Sequence, residues 1–493
     1  MWSICLILRE LSANSIKEKI IKREITAQEV VEDLFKWIGL KESLIKAYIS
    51  LDKEGALLKA KEIDEKLNNG GRVGLLAGIP VAIKDNICTW GMKTTCASKI
   101  LENFTPPYDA FVVKRIKEED AIIIGKTNLD EFAMGSSNEN SAFHVTRNPW
   151  NTDCIPGGSG GGSAAAVTAD MAFMALGSDT GGSVRQPSSF CGNVGCKPTY
   201  GRVSRYGLVA FASSLDQIGS ITKDVSDAAL LLQVVSGHDC HDSTSANVEV
   251  PDYIAGINSV NNNLRIGVPK EFFGEGLNPE IESAVKNALG IYKKNGAELI
   301  DLSLPHCGYA LATYYIIATA EASSNLARYD GVRYGHRSQL SEDNIIDMYS
   351  RVRAEGFGSE VKRRVLLGNY VLSAGFYDAY YIKASKVRNL IKSDFEDAFS
   401  KVDCIISPTC PSPAFKIGEK ITDPLEMYLS DIYTIPANLV GIPGISIPCG
   451  FTTTGLPIGM QLMGKHFEEE KILRIAKLFE NETDFHLKKP GLK

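Results

Sequence analysis

The sequence predicts an α/β fold, on two observations. Between Gly78 and Gly207, short apolar runs such as Ala121-Ile122-Ile123-Ile124-Gly125 alternate with segments of helical character. Across 493 residues, nothing between Gly71 and Lys493 reads as an extended linker, and no repeat of roughly 20 to 50 residues is visible. One large domain, residues 1–493, is therefore expected, although the length alone would suggest two or three.

Taken in order, Trp2 to Leu8 is apolar but short, lacks a leading basic region and runs into Arg9-Glu10, so it is not read as a signal peptide. Ser15 to Glu18 and Thr26 to Glu29 both fit a capping box, followed at helical spacing by Ile16 and Ile20, then Val30, Val31, Leu34 and Ile38. A third, charged helix over about Lys53 to Leu67 ends before Gly70-Gly71. Residues 1–70 are thus expected as N-terminal helices packed on the outside of the catalytic body. Val81-Ala82-Ile83 reads as a strand ending at Lys84. Asn148 to Asp153 with Pro156 reads as turns, and Gly157-Gly158-Ser159-Gly160-Gly161-Gly162 runs into a helix for which Ser163 is the expected N-cap. Further on, Asn263 to Val268 and Asp403 to Ser407 read as strands and Pro279 to Asn295 as an amphipathic helix. Tyr309 to Tyr315, continuing to Arg328, reads as core whose aromatics could wall a pocket.

Several functions are disfavoured. A net charge of −6 does not favour a broad nucleic-acid surface. No apolar run approaches the roughly 20 residues of a membrane span. Eleven cysteines, scattered from Cys5 to Cys449 without Cys-x-x-Cys spacing, point to reduced thiols and a cytoplasmic setting. His238-Asp239-Cys240-His241-Asp242 is too crowded for tetrahedral coordination and is read as a surface loop, so no metal site is expected. The glycine run lacks the Lys and Ser/Thr of a P-loop, and its loose dinucleotide pattern lacks a preceding strand. Val81 to Lys84 matches a kinase strand by itself, without the glycine loop before it or the His-Arg-Asp and Asp-Phe-Gly motifs after it.

What remains is acyl chemistry. Ser159 and Ser183 both lie among glycines, where the backbone can approach a small ligand and present N–H groups to an anion or oxyanion. A serine nucleophile needs a base. His144 is the nearest histidine in sequence but has no partner pattern, whereas Lys84, at the end of an apolar strand, would be desolvated and its neutral amine made available.

Gly78-Ile79-Pro80 to Lys84-Asp85-Asn86, Gly157-Gly158-Ser159 and Asp179-Thr180-Gly181-Gly182-Ser183-Val184-Arg185-Gln186-Pro187 resemble the amidase signature family, and the likeness continues through Lys197 to Ser204 and Ser213 to Gly219. The resemblance implies the fold of that family, a large mixed central β-sheet flanked on both faces by helices, and a Ser-cisSer-Lys triad. Ser183 would be the nucleophile. Ser159, joined to Gly158 by a cis peptide bond, would bridge it to Lys84. The N–H groups around Thr180, Gly181, Gly182 and Ser183 would form the oxyanion hole. The family commonly carries a second serine where Gly160 stands here.

Three further segments, Glu321 to Gly331, Glu360 to Gly368 and Asp431 to Asn438, resemble the glutamine-hydrolysing branch that serves tRNA-dependent amidotransferases. For that branch the resemblance implies Arg364 on the α-carboxylate of free glutamine, Asp431 on its α-ammonium and Tyr315 at the pocket wall, with Arg363 and Tyr314 as alternatives. It also implies no cofactor in this chain. In the implied heterotrimer, the B subunit uses ATP and Mg²⁺, binds most of the charged tRNA and receives ammonia, while a small C subunit clamps the complex. A free-standing amidase and a catalytically silent scaffold are the rival readings; the Arg364 and Asp431 pair disfavours the first, the intact triad the second.

Overall fold

The computed structural model describes residues 7–259, 263–339 and 344–492. The reading of Trp2 to Leu8 falls largely outside these residues, as does Cys5. The described strands form one sheet: β1 Tyr48–Leu51, β2 Pro80–Lys84, β3 Ile122–Thr127, β4 Met174–Asp179, β5 Val194–Lys197, β6 Gln217–Thr222, β7 Arg265–Pro269, β8 Glu298–Leu302, β9 Cys404–Pro408, β10 Gly444–Phe451 and β11 Pro457–Met463. Their order across the sheet is β1-β3-β2-β4-β6-β5-β10-β11-β9-β7-β8. The sheet is mixed: β2 runs parallel to both β3 and β4, β7 is parallel to β8 and β9, and the pairs from β4 through β11 to β9 are antiparallel.

The pattern along the strands explains the layering. β2, β4, β5, β6, β9 and β11 are buried at every position, which requires cover on both faces. Helices provide much of that cover. Edge strand β8 alternates with exposed positions instead.

Residues 1–70 contribute the helices Ala13–Ile21, Ala27–Ile45 and Lys53–Asn68, and also the edge strand β1, which periodicity does not mark. Thr26 and Glu29 form the expected capping box. At the first helix the cap is Ser12 rather than Ser15: the Ser12 hydroxyl accepts from Ser15 N, and Asp227 accepts from the N–H groups of Ala13 and Asn14. A carboxylate far along the chain thus moves the start of that helix. Ser163 is likewise no N-cap. Gly160 precedes the helix Gly161–Thr168, and Ser163 lies inside it, its hydroxyl 2.7 Å from that of Thr127.

The ten described cysteines are all free thiols, and all but Cys240 are buried. No described helix is long and apolar enough to cross a membrane. In the loop at His238 to Asp242, Asp239 accepts hydrogen bonds from Ser204 Oγ and from the backbone and ring of His241, so both its oxygens are already engaged.

Candidate active site

β2 ends at Lys84, and its parallel pairing with β4, Ile83 opposite Leu176, carries Ser178 alongside that lysine. Lys84 is fully buried. Its Nζ lies 2.8 Å from Ser159 Oγ, 3.0 Å from Ser178 Oγ and 3.1 Å from Ser178 O. Burial pushes its ammonium down to about 7, against the opposing pull of Asp130, Asp179 and Asp216. A neutral amine has two N–H donors and one lone pair. With the two Ser178 oxygens taking the donors, the lone pair faces the Ser159 hydroxyl.

The peptide bond between Gly158 and Ser159 is cis. The loop is fastened to its surroundings through the backbone: Gly158 N donates to Gln186 Oε1 at 2.9 Å, and Gly160 N donates to Ser183 O at 3.1 Å. The absence of a second serine at Gly160 has a steric reason here. A Cβ at that position would stand 2.4 Å from Ser183 O and 3.8 Å from Lys84 Nζ, so any side chain would push the nucleophile's own carbonyl away.

Ser183 follows Gly182, whose φ of +145° favours glycine. Thr434 Oγ1 donates to Gly181 O at 2.6 Å. In a planar trans peptide the C=O and the following N–H point in opposite directions, so this bond turns the Gly182 N–H away from Thr434. No hydrogen bond among the described residues uses the N–H of Gly181, Gly182 or Ser183. Free donors held this way suit a developing oxyanion. Thr180 is anchored by its hydroxyl to Asp216 at 2.7 Å.

Beneath this turn lies a fully buried ion pair. Asp179 and Arg185 meet at 3.0 Å, Asn438 Nδ2 donates to Asp179 at 2.8 Å, and Arg185 reaches Thr434 O and Gln461 Oε1. Burial alone would raise the Asp179 carboxyl, but Arg185 and the hydrogen bonds outweigh it and hold it down at about 2.

The second half of the chain brings charges to the same place. Arg364, in the helix Ser359–Leu372, is 3 % exposed, while Arg363, which also pairs with Glu360 and lines the same cavity, has its side chain 45 % exposed. Arg364 Nε donates to Glu360 at 2.8 Å, and its guanidinium lies over the rings of Tyr315 and Tyr428 at 5.2 and 5.3 Å. Tyr315 stacks on Tyr428 with centroids 4.0 Å apart. Tyr314 instead faces the nucleophile turn, its Oη 2.8 Å from where a Cβ on Gly181 would be. Both tyrosines therefore border the site, at different points.

Asp431 is buried, with one oxygen accepting from Ser136 Oγ and the other, Oδ1, lacking a hydrogen-bond partner among the described residues. That free oxygen lies 3.2 Å from the position of a Cβ on Gly182. Burial pushes its carboxyl up to about 7, opposed first by the Ser136 hydrogen bond. A cavity of about 420 Å³ opens next to these groups, lined in part by Ser137, Glu360, Arg364 and Tyr428. Ser183, 7 % exposed, is not among its lining residues.

His144 is used elsewhere: its ring lies 3.1 Å from Tyr48 O and 3.3 Å from Asn128 Nδ2. Ser136 and Tyr428 carry no signal in the sequence, because each reaches the site only through long-range folding; Thr434 lies within the Asp431 to Asn438 segment, which by itself assigns it no role. Ser178 and Gln186 sit inside or beside the recognised motif, which by itself assigns them no role.

The amidase family profile matches residues 29–473. The chain belongs to the amidase family. Among its relatives, the A subunit of glutamyl-tRNA(Gln) amidotransferase from Bacillus velezensis is 58 % identical over 477 residues, covering 97 % of this chain and 98 % of that protein. The protein of the same name from a Geobacillus strain is 59 % identical over 472 residues, covering 96 % and 97 %. The crystal structure of the corresponding A subunit from Thermotoga maritima is similar throughout, with a TM-score of 0.82, 44 % identity and 99 % of each chain covered. The mixed eleven-stranded sheet is that of the amidase family; Lys84, at the end of β2, contacts Ser159 directly, and the Ser159 loop is tied to Ser183 through Gly160 N and Ser183 O.

Proposed function

We propose that the chain is the glutaminase subunit of a tRNA-dependent amidotransferase. The observation that carries this reading is the pairing, beside the nucleophile turn, of a buried guanidinium, Arg364, with the partnerless oxygen of Asp431. Free glutamine offers one carboxylate and one ammonium, and a buried unsatisfied carboxylate oxygen is costly unless a ligand completes it. The names of the Bacillus, Geobacillus and Thermotoga relatives support the same assignment.

The contact between Lys84 Nζ and Ser159 Oγ supports the following steps. Neutral Lys84 takes the proton of Ser159 as Ser159 takes that of Ser183. Ser183 Oγ attacks the side-chain amide carbon, and the N–H groups of the Thr180 to Ser183 turn hold the oxyanion, each donor contributing about 3 kcal/mol. The C–N bond breaks, the proton returns to the departing ammonia, and water then releases glutamate from Ser183. Arg364 and Asp431 hold the amino-acid end, with Tyr315 and Tyr314 as walls. The ammonia is passed to the B subunit, which uses ATP and Mg²⁺ to activate Glu-tRNA(Gln), with Asp-tRNA(Asn) as a second acceptor; the small C subunit completes a cytoplasmic heterotrimer.

The test is ammonia release from glutamine, asparagine and a simple aliphatic amide, by the chain alone and with the B and C subunits. Glutamine-selective release that rises with the partners is expected. Equal or faster turnover of the simple amide, indifferent to partners, would make the chain a free-standing amidase. In the assembled complex, Ser183→Ala should abolish glutamine-dependent transamidation and leave the ammonia-dependent reaction intact; equal loss of both would refute the division of labour.

A further inference from the structure

Gln186 is fully buried and lies three residues beyond the nucleophile in the helix Arg185–Cys191. Its carboxamide is used at both ends. Oε1 accepts from Gly158 N at 2.9 Å, and Nε2 donates to Ser136 O at 2.7 Å. One partner is an N–H and the other a C=O, and a carboxamide in this orientation satisfies both. The fit is close: a Cβ on Gly157, whose φ is +86°, would stand 2.5 Å from Gln186 Oε1.

Ser136 carries the connection onward. Its hydroxyl donates to Asp431 Oδ2, which leaves Oδ1 as the free oxygen beside Gly182. A set of hydrogen bonds, joined through the backbone of Ser136, therefore runs from the cis-peptide loop through Gln186 to the buried carboxylate of Asp431, whose Oδ1 has no partner among the described residues. We infer that Gln186 is a positioning residue that fixes Asp431 relative to the Ser159 loop, so that engagement of the substrate's α-ammonium places the amide carbon at Ser183. This rests on the glutaminase reading above. Its physical basis is that a displacement of about 1 Å at a positioning group can cost on the order of a hundredfold in rate.

Two variants separate the connection from the fold. Gln186→Met keeps the length and removes both hydrogen bonds. Gln186→Glu keeps the acceptor for Gly158 N; ionised it lacks the donor to Ser136 O, and protonated it restores that donor, so its effect should grow as pH rises. Each would be assayed in the full chain with its partner subunits, using glutamine and glutaramate, which is the same amide without the α-ammonium. Both variants are expected to reduce the preference for glutamine over glutaramate in kcat/KM by about tenfold or more, since a hydrogen bond at a charged group is at stake. The loss should fall mainly on KM for glutamine, and in Ser136→Ala, which leaves the bond from Gly158 N to Gln186 in place, labelling of Ser183 by a serine-directed sulfonyl fluoride should stay unchanged. Ser136→Ala should reproduce the effect, and combining it with Gln186→Met should add little.

An unchanged preference in both variants, or equal losses on glutamine, glutaramate and the sulfonyl fluoride, would overturn the inference. If Gln186→Met does not fold, Gln186→Glu decides. A wild-type protein that shows no preference for glutamine would refute the glutaminase reading itself, which keeps the two failures distinct.

Discussion

Among the described residues Lys84 has no carboxylate in direct contact; its partners are serine oxygens. A buried cation in that setting favours the neutral amine, and this fixes the sign of the pH dependence. The Lys84 ammonium is pushed down to about 7 by burial, so the base appears as pH rises through that value. The Asp431 carboxyl is pushed up to about 7 by burial, so its charge appears over the same range. kcat/KM for glutamine should therefore climb through about pH 7 and then level off. With a simple aliphatic amide, which does not need Asp431, the limb should persist with the slope of a single group; its absence would count against Lys84 as the base. Arg364→Lys should raise KM for glutamine by about tenfold or more, because a lysine cannot reproduce a planar guanidinium packed beside the stacked rings of Tyr315 and Tyr428. The reactive side chains were legible because each sits in a short motif. Their positioning partners were not: Ser136 and Tyr428 are a lone polar residue and a lone aromatic in sequence, and only tertiary packing gives them a role.

Among the elements, the helices Ser359–Leu372 and Ala310–Asn325 meet where Gly368 has no side chain. A Cβ there would stand 1.9 Å from Thr319 O and 2.8 Å from Ser323 Cβ. Gly368→Ala should separate these helices, costing about 1–3 kcal/mol by overpacking despite the better helix propensity of alanine. Thermal unfolding would report that loss, and a parallel rise in KM for glutamine would show that Arg364, on the same helix, has moved. Gly182→Ala is a sharper case, since its Cβ would fall 2.3 Å from Thr434 Oγ1; glutamine hydrolysis should drop by about a hundredfold or more. Strands such as β2 and β9, and the helix Pro279–Lys294, were readable from apolar runs and periodicity. Helix starts were less so. At Ser12 and Gly160 the boundary depends on Asp227 and on the packed glycine loop, neither of which is local information.

Across the molecule, the base and both serines come from the first half of the chain, whereas Arg364, Asp431 and Thr434 come from the second. Arg185 joins the halves beneath the site through Asp179, Asn438 and Gln461. Composition could exclude membrane spans and a broad basic surface, and motif spacing could give the chemistry, but the order of the strands is a long-range property that no local pattern encodes. The distribution of thiols has a practical consequence of its own. With nine of the ten described cysteines buried and Cys240 exposed, a maleimide dye added to folded Cys5→Ser protein should attach at a single place, on the loop after Gly237. The native chain thus carries a ready fluorescent reporter position, from which distances to labelled tRNA or partner proteins could be followed without stripping its interior of sulfur.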